Sequence, residues 1–375
     1  MDFTLTEEQQ AVADLAGQIL ADKAAPERLR ELEQEPDWFA RDAWAELAKA
    51  DLLGLCLPEA DGGGGYGVLE ACLILEQVGR TVAPVPFLAT VLGGALPVAR
   101  FGTAEQRAAL LPGVAAGEVV LTAALAEPGD ALPPVRPATR AEADGDGWRL
   151  HGRKEFVPAV HLAHRVLVAA TSEAGEVAVF LVDPGAGGIT GERLVMTNRE
   201  PVSHLDLDGV KVTASDRLGE PGQGGEVVAF TTQRLLAGLC AVQAGVCAEA
   251  LRLTAAYTSE RKQFNAPIAT FQAVAQRAAD AYVDTEAVKL TARQAAWRLA
   301  EGLPAEAALA VAKFWAAEGG QRVVHAAQHL HGGVGVDVDY PVHRYFRWAK
   351  ATELSLGGGT RHLLELGRRL ADEPV

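Results

Sequence analysis

The stretch that decides the fold is residues 147–159, GWRLHGRKEFVPA, where apolar and polar side chains alternate directly after the turn sequence DGDG at 144–147. Alternation with a period of two is typical of a β-strand with one buried face. Because no helical pattern separates this run from its neighbours, the segment predicts a small antiparallel barrel or sandwich. The neighbouring runs of this kind are residues 118–127, 165–171, 176–183, 192–196 and 204–212.

Helical patterns flank this segment on both sides. Before it, apolar residues recur at helical spacing in four runs, and Thr4 with Glu7 matches a capping box ahead of the first. After it, longer runs carry wide apolar stripes, which pack as a bundle. The sequence therefore predicts an α+β fold with an N-terminal helical domain (1–117), a middle β-domain (118–220) and a C-terminal helical bundle (221–375). The predicted helices cover 10–23, 40–50, 68–78, 103–111, 224–261, 271–301, 305–328, 342–355 and 360–370.

Composition narrows the class of protein. The 375 residues are 49% apolar and carry a net charge of −15. An acidic surface repels nucleic-acid phosphates and anionic lipids, so we expect no nucleic-acid partner. The first residues, MDFTLTEEQQ, lack the regions of a signal peptide, and no 18-residue apolar run is free of polar breaks, so we expect a cytoplasmic protein without a membrane span. Four cysteines in apolar stretches are predicted to be reduced thiols: Cys56, Cys72, Cys240 and Cys247.

Three stretches could carry chemistry. Residues 261–272, RKQFNAPIATFQ, join two helical patterns; on the residues alone this is a capped turn, since a helix C-terminus also favours cations. Residues 328–335, QHLHGGVG, let the backbone approach a ligand closely, but their histidines lack acidic or cysteine partners at zinc-ligand spacing, so no metal is expected. Residues 356–360, LGGGT, could present N–H groups to an anion, although they lack the Walker lysine.

In this order and at these separations, the motifs make the chain similar to the acyl-CoA dehydrogenase family over nearly its whole length. Residues 261–272 resemble the family's R-K-x-F-x-x-P-I-x-x-x-Q turn, and HGGVGVDVDYPVHRYFR (331–347) resembles its G-G-x-G-x-x-x-x-Y-P-x-x-R-x-x-R element. LAEPG (125–129) and GWRLHGRKEF (147–156) resemble its β-domain flavin segments, and RLLAGLCAVQAG (234–245) resembles the start of its central helix. The resemblance implies a helical domain, a β-barrel and a C-terminal four-helix bundle.

The resemblance also implies FAD, bound at a subunit interface in tetramers built from dimers. One subunit holds the isoalloxazine ring with its β-domain, and its neighbour supplies the turn and the glycine loop for the pyrophosphate and adenosine. The guanidinium of Arg261 suits phosphate geometry, and Phe264 offers a flat apolar contact. His329 stands where the family has a glutamine. The cofactor-binding residues implied in this way are Arg261, Gln263, Phe264, Gln272, His329, Gly332, Gly333 and Thr360.

The reaction implied is α,β-dehydrogenation of an acyl-CoA thioester, in which a glutamate removes the α-proton while hydride leaves to the flavin. The family places this glutamate either before the final Gly-Thr or on the central helix before an arginine. Here those positions read Gly358 and Gln233, and the arginine is retained as Arg234. Neither a glycine nor a neutral amide is a general base near pH 7. The nearest acids in sequence, Glu226 and Glu353, lie about two helical turns away, roughly 7 to 10 Å along the axis.

The β-domain departs from the family as well. The family's T-E-P-x-A-G-S-D reads AEPGDA at 126–131, and its W-I-T, whose threonine hydrogen-bonds the flavin, reads FVP at 156–158. Proline has neither an N–H donor nor a hydroxyl. The elements lent to a neighbour's FAD are thus largely retained, and the elements needed for the chain's own FAD and for catalysis are largely lost.

This asymmetry predicts a subunit of an α2β2 acyl-CoA dehydrogenase, similar to the heterotetramers of actinobacterial steroid degradation, whose partner carries the base. The expected partners are a second dehydrogenase-like subunit, an acyl-CoA substrate, and an electron-transfer flavoprotein or another acceptor. By the same resemblance, the candidate substrate is a steroid side-chain CoA ester. Two alternatives are a homo-oligomeric flavoenzyme with Glu353 as a displaced base, and a non-enzymatic scaffold subunit.

Overall fold

A computed structural model describes residues 4–129 and 132–372. Helices come first in the chain, then a sheet, then helices again, which confirms the predicted α+β class. The chain divides into two compact units, which we describe separately. One unit comprises Met1–Glu31, Cys72–Ala83 and Leu236–Val375, and the other comprises Leu32–Ala71 and Pro84–Leu235. The three-domain division at 117 and 220 stays a prediction.

In the part of the chain that the structure describes, six α-helices and a π-helix precede the sheet, and all four helices predicted there are present. The capping box of the first helix is formed by Thr6 and Gln9 rather than by Thr4 and Glu7. The Thr6 hydroxyl accepts from the Gln9 N–H at 3.2 Å, and the Gln9 side chain accepts from the Thr6 N–H at 3.1 Å, because glutamine serves at this position as well as glutamate. The helices are α1 (Glu7–Lys23), α2 (Pro26–Leu32), α3 (Arg41–Lys49), α4 (Val68–Thr81), the π-helix (Leu88–Ala95), α5 (Leu96–Phe101) and α6 (Ala104–Ala115).

The middle segment forms one eight-stranded sheet with the order β6-β7-β3-β2-β4-β5-β8, and β1 also pairs with β4. Contrary to the antiparallel prediction, β1 and β2 each run parallel to β4. Neither is joined to β4 by a hairpin turn, so chain connectivity does not impose antiparallel pairing. The strands are β1 (Leu121–Ala124), β2 (Arg140–Asp144), β3 (Gly147–Pro158), β4 (Arg165–Ser172), β5 (Val177–Val182), β6 (Ile189–Val195), β7 (Pro201–Thr213) and β8 (Arg217–Leu218).

Strand β4 is buried on both faces, and the two faces serve different cores. Leu167 packs into a cluster with Val98 and Leu111 of the preceding helices. Val166 and Val168 pack into a second cluster with side chains of β3 and β7. A strand buried on both faces has a continuous apolar sequence rather than an alternating one. RVLVAAT, residues 165–171, is such a sequence.

Among the described residues, five α-helices follow the sheet, and close glycine contacts set how the first of them packs against α4. A Cβ at Gly79 of α4 would collide with the Val242 carbonyl, and a Cβ at Gly245 would collide with the Glu76 carbonyl, so α4 and α7 cross backbone to backbone. Although α7 is long and apolar enough to cross a membrane, 72% of its most apolar window is buried in protein. The elements are α7 (Gly224–Glu260), β9 (Lys262–Gln263), β10 (Ala266–Pro267), α8 (Gln272–Ala300), α9 (Glu306–His331), α10 (Val342–Leu354) and α11 (Gly359–Asp372).

Candidate functional site

A strained hairpin follows α7 and carries most of the predicted cofactor residues. Strands β9 and β10 pair through the two-residue turn Phe264-Asn265, and both residues have positive φ, 51° and 63°. Positive φ at both positions defines a type I′ turn, which normally takes Asn-Gly or Asp-Gly. A phenylalanine in this conformation is an outlier that costs about 1–3 kcal/mol. The stretch predicted as a capped turn is therefore a hairpin that holds an aromatic side chain at its tip.

The hairpin directs its side chains into solvent. Phe264 is 92% exposed, and Arg261, Gln263 and Gln272 are exposed too. The backbone is tied together underneath, where the Ile268 N–H donates to the Arg261 carbonyl at 2.8 Å. A phenyl ring in water gains almost nothing from burial in this chain. These four side chains therefore lie where a second molecule can contact them.

The glycine loop after α9 is open on its outer side. Gly332 has φ 61° and ψ −136°, a conformation that is nearly exclusive to glycine. A Cβ built on Gly332 or Gly333 meets nothing within 4 Å, whereas a Cβ on Gly335 would lie 2.6 Å from the Gln328 carbonyl oxygen. Packing within this chain explains Gly335 but leaves Gly333 unexplained. The predicted residue His329 is exposed beside this loop.

An aromatic stack that the sequence analysis missed joins the hairpin to the glycine loop. The rings of Tyr257 and His331 are stacked with centroids 4.6 Å apart, and Tyr340 lies 5.1 Å from His331. Burial lowers the pKa of His331, so a neutral imidazole fills the stack. Tyr257 lies one helical turn before Arg261, and His331 directly precedes Gly332. The stack thus brings the end of α7 and the start of the glycine loop together. The position of Tyr257, one helical turn before Arg261, was the sequence signal for this contact.

The loop LGGGT joins α10 to α11. Leu356 and Gly357 have positive φ, 53° and 88°, but Gly358 does not. A Cβ on Gly358 meets only the Glu353 carbonyl oxygen, at 4.0 Å. The backbone therefore does not require glycine at 358, and the missing carboxylate is not imposed by space. Thr360 is exposed in the first turn of α11.

The second position for a base lies on α7. Gln233 is half-buried there, and the guanidinium of Arg234 lies 3.2 Å above the ring centroid of Phe230. Arg234 also donates to the Phe230 carbonyl at 3.2 Å. Burial, together with the charge of Arg100, lowers the pKa of Arg234 to about 10. The arginine of the motif is thus held in place beside an amide that accepts no proton near neutral pH.

The strand segment where the flavin threonine is expected has an irregular backbone. The register of β3 against β7 shifts between Lys154 and Val157, and Phe156 has φ 52°. The ring of Phe156 is 51% exposed and meets His204 edge-on at 4.9 Å. The carbonyl of Pro158 accepts from the Thr122 hydroxyl at 2.8 Å. This strand segment therefore offers a flavin neither a hydroxyl nor a backbone N–H at Pro158.

Glu127, in the segment LAEPG, forms a buried ion pair with Lys154. Glu127 accepts from the Lys154 ammonium at 2.6 Å, from the N–H and hydroxyl of Thr139 at 3.0 and 2.5 Å, and from the Ala138 N–H at 2.5 Å. Burial opposes the charge, but Lys154 and the donated hydrogen bonds outweigh it and lower the pKa of Glu127. The carboxylate therefore serves the β-domain itself. Of the stretch AEPGDA, Asp130 and Ala131 lie outside the described residues.

Glu353, the candidate displaced base, is held by a neighbour. Its carboxylate accepts from the Lys350 ammonium at 2.6 Å, three residues back on α10. The carboxylate is thus already engaged by a cation within its own helix. The geometry suits a helix ion pair better than a base waiting for substrate.

Comparison with known proteins decides the family. The chain matches the model of the acyl-CoA dehydrogenase N-terminal domain over residues 6–118 and that of the C-terminal domain over 222–371. It is 41% identical to the acyl-CoA dehydrogenase FadE27 of Mycobacterium tuberculosis, with all of both chains covered. This chain belongs to the acyl-CoA dehydrogenase family. It is accordingly an oxidoreductase acting on CH–CH groups, and the cofactor of the family is FAD.

Other similar proteins include assemblies of two different subunits. FadE28 of the same organism is 38% identical over 98% of this chain and 99% of its own. The solved ChsE4–ChsE5 complex from Mycobacterium tuberculosis contains a chain 41% identical, with full coverage of both and a TM-score of 0.94. The solved structure of a Tcur3481–Tcur3483 steroid ACAD variant contains a chain 45% identical over 98% of this chain and 99% of its own, with a TM-score of 0.90.

The residues present fit one half of an FAD molecule. Around the hairpin, an exposed guanidinium, two exposed amides and an exposed aromatic ring match a diphosphate and an adenosine, and the space beside Gly333 admits a ligand against the backbone. At Pro158, the hydroxyl and the backbone N–H of the threonine expected there are missing. The residues therefore fit the cofactor well around the hairpin and the glycine loop and poorly at Pro158.

Proposed function

We propose that this chain is the subunit of a heteromeric acyl-CoA dehydrogenase that lends the adenosine and pyrophosphate half of the FAD site to a homologous partner carrying the catalytic glutamate. One observation carries the proposal: the hairpin and the glycine loop expose residues that this chain's packing does not use, while Gly358, Gln233 and Pro158 lack the groups for catalysis. Loss without selection would not separate the two sets in this way.

Each lent residue has a specific part in this proposal. Arg261 binds the pyrophosphate, since a guanidinium gives two parallel hydrogen bonds to phosphate oxygens. Gln263 and Gln272 donate and accept at polar edges of the cofactor, and Phe264 covers an apolar face. Gly332 and Gly333 let the cofactor pass against the backbone, with His329 and Thr360 at its edges. When bound, FAD accepts the hydride removed from the acyl chain.

The partner and the substrate follow from the relatives. Each of the solved structures described above is named after two proteins, and one of the two is called a steroid ACAD. We infer that this chain assembles with a second dehydrogenase-like subunit as α2β2, and that the substrate is a CoA thioester with a steroid side chain. An electron-transfer flavoprotein or a similar acceptor would reoxidise the flavin, and the assembly would be cytoplasmic.

Purifying the full chain alone and together with a candidate partner subunit tests this proposal. We expect little flavin and no turnover from the chain alone, and flavin with acyl-CoA turnover from the assembly. Full flavin occupancy and turnover by the chain alone would overturn it. Turnover by the chain alone that Glu353→Gln abolishes would establish the displaced-base alternative, and an assembly without flavin would leave only a scaffold.

A further inference from the structure

A lysine inside the helical bundle, Lys313 of α9, has no part in the family motifs above. It is fully buried, with 0% exposure. Its ammonium donates to the backbone carbonyls of Thr352 at 2.8 Å and Glu353 at 3.0 Å. A buried charge is costly unless its hydrogen bonds are satisfied. The two carbonyls therefore stabilise the Lys313 ammonium, and the ammonium in turn satisfies the two carbonyls.

The two carbonyls lie at the C-terminal end of α10. The last carbonyls of a helix have no partner within the helix, and they carry the negative end of its dipole. Cations normally satisfy such carbonyls from the helix's own last turn, whereas Lys313 reaches them from another helix. The LGGGT loop, residues 356–360, follows shortly after them and has two left-handed positions, Leu356 and Gly357.

Two further contacts hold the other side of this loop. The buried His362 of α11 bonds through Nε2 to the Leu356 carbonyl at 2.8 Å. A Cβ on Gly359 would lie 2.9 Å from a carboxylate oxygen of Glu318, which lies on α9 five residues after Lys313. Helix α9 therefore contacts both ends of the loop, with a charge at one end and a close approach at the other.

We propose that Lys313 is a positioning residue that fixes the LGGGT loop and the first turn of α11, by capping α10 from inside the bundle. Its significance rests on the proposed function, which places Thr360 at the edge of the cofactor. Glu353 has two different lysine contacts: Lys350 binds its side chain at the surface, and Lys313 binds its backbone in the interior. Lys350, which lies on the same turn of α10 as Glu353, is therefore a matched control for Lys313.

The charge of Lys313 is sensitive to pH in a useful range. Burial lowers its pKa to about 8, and the titratable groups around it are Cys240 of α7, Glu353 of α10 and His362 of α11. The cap is charged below pH 8 and loses its charge above, so the loop should loosen as pH rises. Global stability should not fall for this reason, because a lysine whose folded pKa lies below its unfolded value is a burden while charged.

Hydrogen exchange of the full chain, followed by mass spectrometry, tests the proposal without flavin. We expect Lys313→Met to raise the exchange rate of amides in residues 354–362 by about tenfold, equivalent to about 1.4 kcal/mol, while Lys350→Met leaves it within about twofold. Equal exchange in Lys313→Met and the unaltered chain, or a rise spread evenly over the bundle, would overturn the proposal.

A pH series on the unaltered chain covers the case in which Lys313→Met does not fold. After correction for intrinsic exchange, excess exchange above pH 8 confined to residues 354–362 supports the cap, and its absence contradicts it. A second arm measures flavin retention by the assembled partners, which Lys313→Met should lower and Lys350→Met should not. If the assembly holds no flavin at all, the proposed function fails while the exchange data still decide the role of Lys313.

Discussion

The hairpin at 261–272 and the strand segment at 156–158 both hold a phenylalanine in a left-handed conformation, with opposite consequences. Phe264 is 92% exposed, and it meets the half-buried ring of Phe271 edge-on at 6.3 Å. Phe156 is 51% exposed and meets the ring of His204 at 4.9 Å, and the strand around it is held by hydrogen bonds within the β-domain. The hairpin therefore leaves its phenylalanine available to a second molecule, whereas the strand segment makes more of its contacts internally.

Glycines show the same difference. Gly335 is explained by the Gln328 carbonyl against which it packs, whereas a Cβ on Gly333 meets nothing within 4 Å and one on Gly358 meets only the Glu353 carbonyl oxygen, at 4.0 Å. An unexplained glycine beside intact binding residues indicates a second molecule, whereas an unexplained glycine where a catalytic acid is expected indicates a lost function. The neighbouring side chains separate these two cases.

The largest effect should come from breaking the internal contacts of the β-domain. Glu127→Gln leaves the buried Lys154 without its carboxylate, so the free energy of unfolding of the lone chain should fall by about 3–5 kcal/mol. Because the folded pKa of Glu127 is lowered, its contribution is present above the unfolded value near 4.5 and is lost as pH falls through the folded value. Chemical denaturation at pH 7 and at pH 4 measures both effects. A change below 1 kcal/mol at pH 7 would show that the pair does not hold the domain together.

The next largest effect distinguishes Gly335 from Gly333, which lie in the same glycine loop. Gly335→Ala forces a Cβ against a carbonyl oxygen and should lower the stability of the lone chain by about 1–3 kcal/mol. Gly333→Ala should leave that stability within about 0.5 kcal/mol but weaken FAD retention by the assembled subunits. Thermal unfolding of the lone chain and flavin absorbance of the assembly measure the two. Equal thermal shifts in both variants would remove the argument for a second molecule at Gly333.

The order of elements and most helix boundaries were predictable, because long apolar periodicities leave little choice of structure. The predicted helix at 342–355 is observed at Val342–Leu354. The π-helix at Leu88–Ala95 was missed because 89–95 are all buried and Leu88 is half-buried, and without a polar face there is no period to detect. Strand β2 was missed because Arg140–Asp144 is mostly exposed and charged and depends on its partner strands for its conformation.

The candidate site was predictable as a set of motifs but not as geometry. The motif at 261–272 identified the exposed residues, yet a type I′ turn was not predictable there, because Phe264-Asn265 is not a usual pair for it. The stack of Tyr257 on His331 depends on where α7 and α9 end in space. The cap by Lys313 joins residues 39 and 40 positions apart, and local spacing does not reveal such a contact.

A smaller effect, confined to the assembly, should come from the hairpin cation. Arg261→Met removes the proposed pyrophosphate contact, and the affinity of the assembled subunits for FAD should fall about 10- to 100-fold, as for the loss of a charge-assisted hydrogen bond. Lys262→Met, the adjacent and equally exposed cation, is the control and should change affinity less than about threefold. Flavin titration monitored by fluorescence gives both values. Equal losses would mean that general charge, and not the position of Arg261, attracts the cofactor.

The smallest stability effect concerns the backbone strain at Phe264. It tests the comparison of the hairpin with the strand segment at 156–158 most directly. Phe264→Asn places a residue that tolerates positive φ in the turn, and since the ring is almost fully exposed, little packing is lost. The lone chain should gain about 0.5–1 kcal/mol of stability, while the assembled subunits should bind FAD more weakly. Phe264→Leu keeps the strain but removes the aromatic face, so it should weaken FAD binding without the gain in stability. If Phe264→Asn stabilised the chain and left FAD binding intact, the strain would have no part in holding the cofactor, and the hairpin would differ from the strand at 156–158 only in exposure.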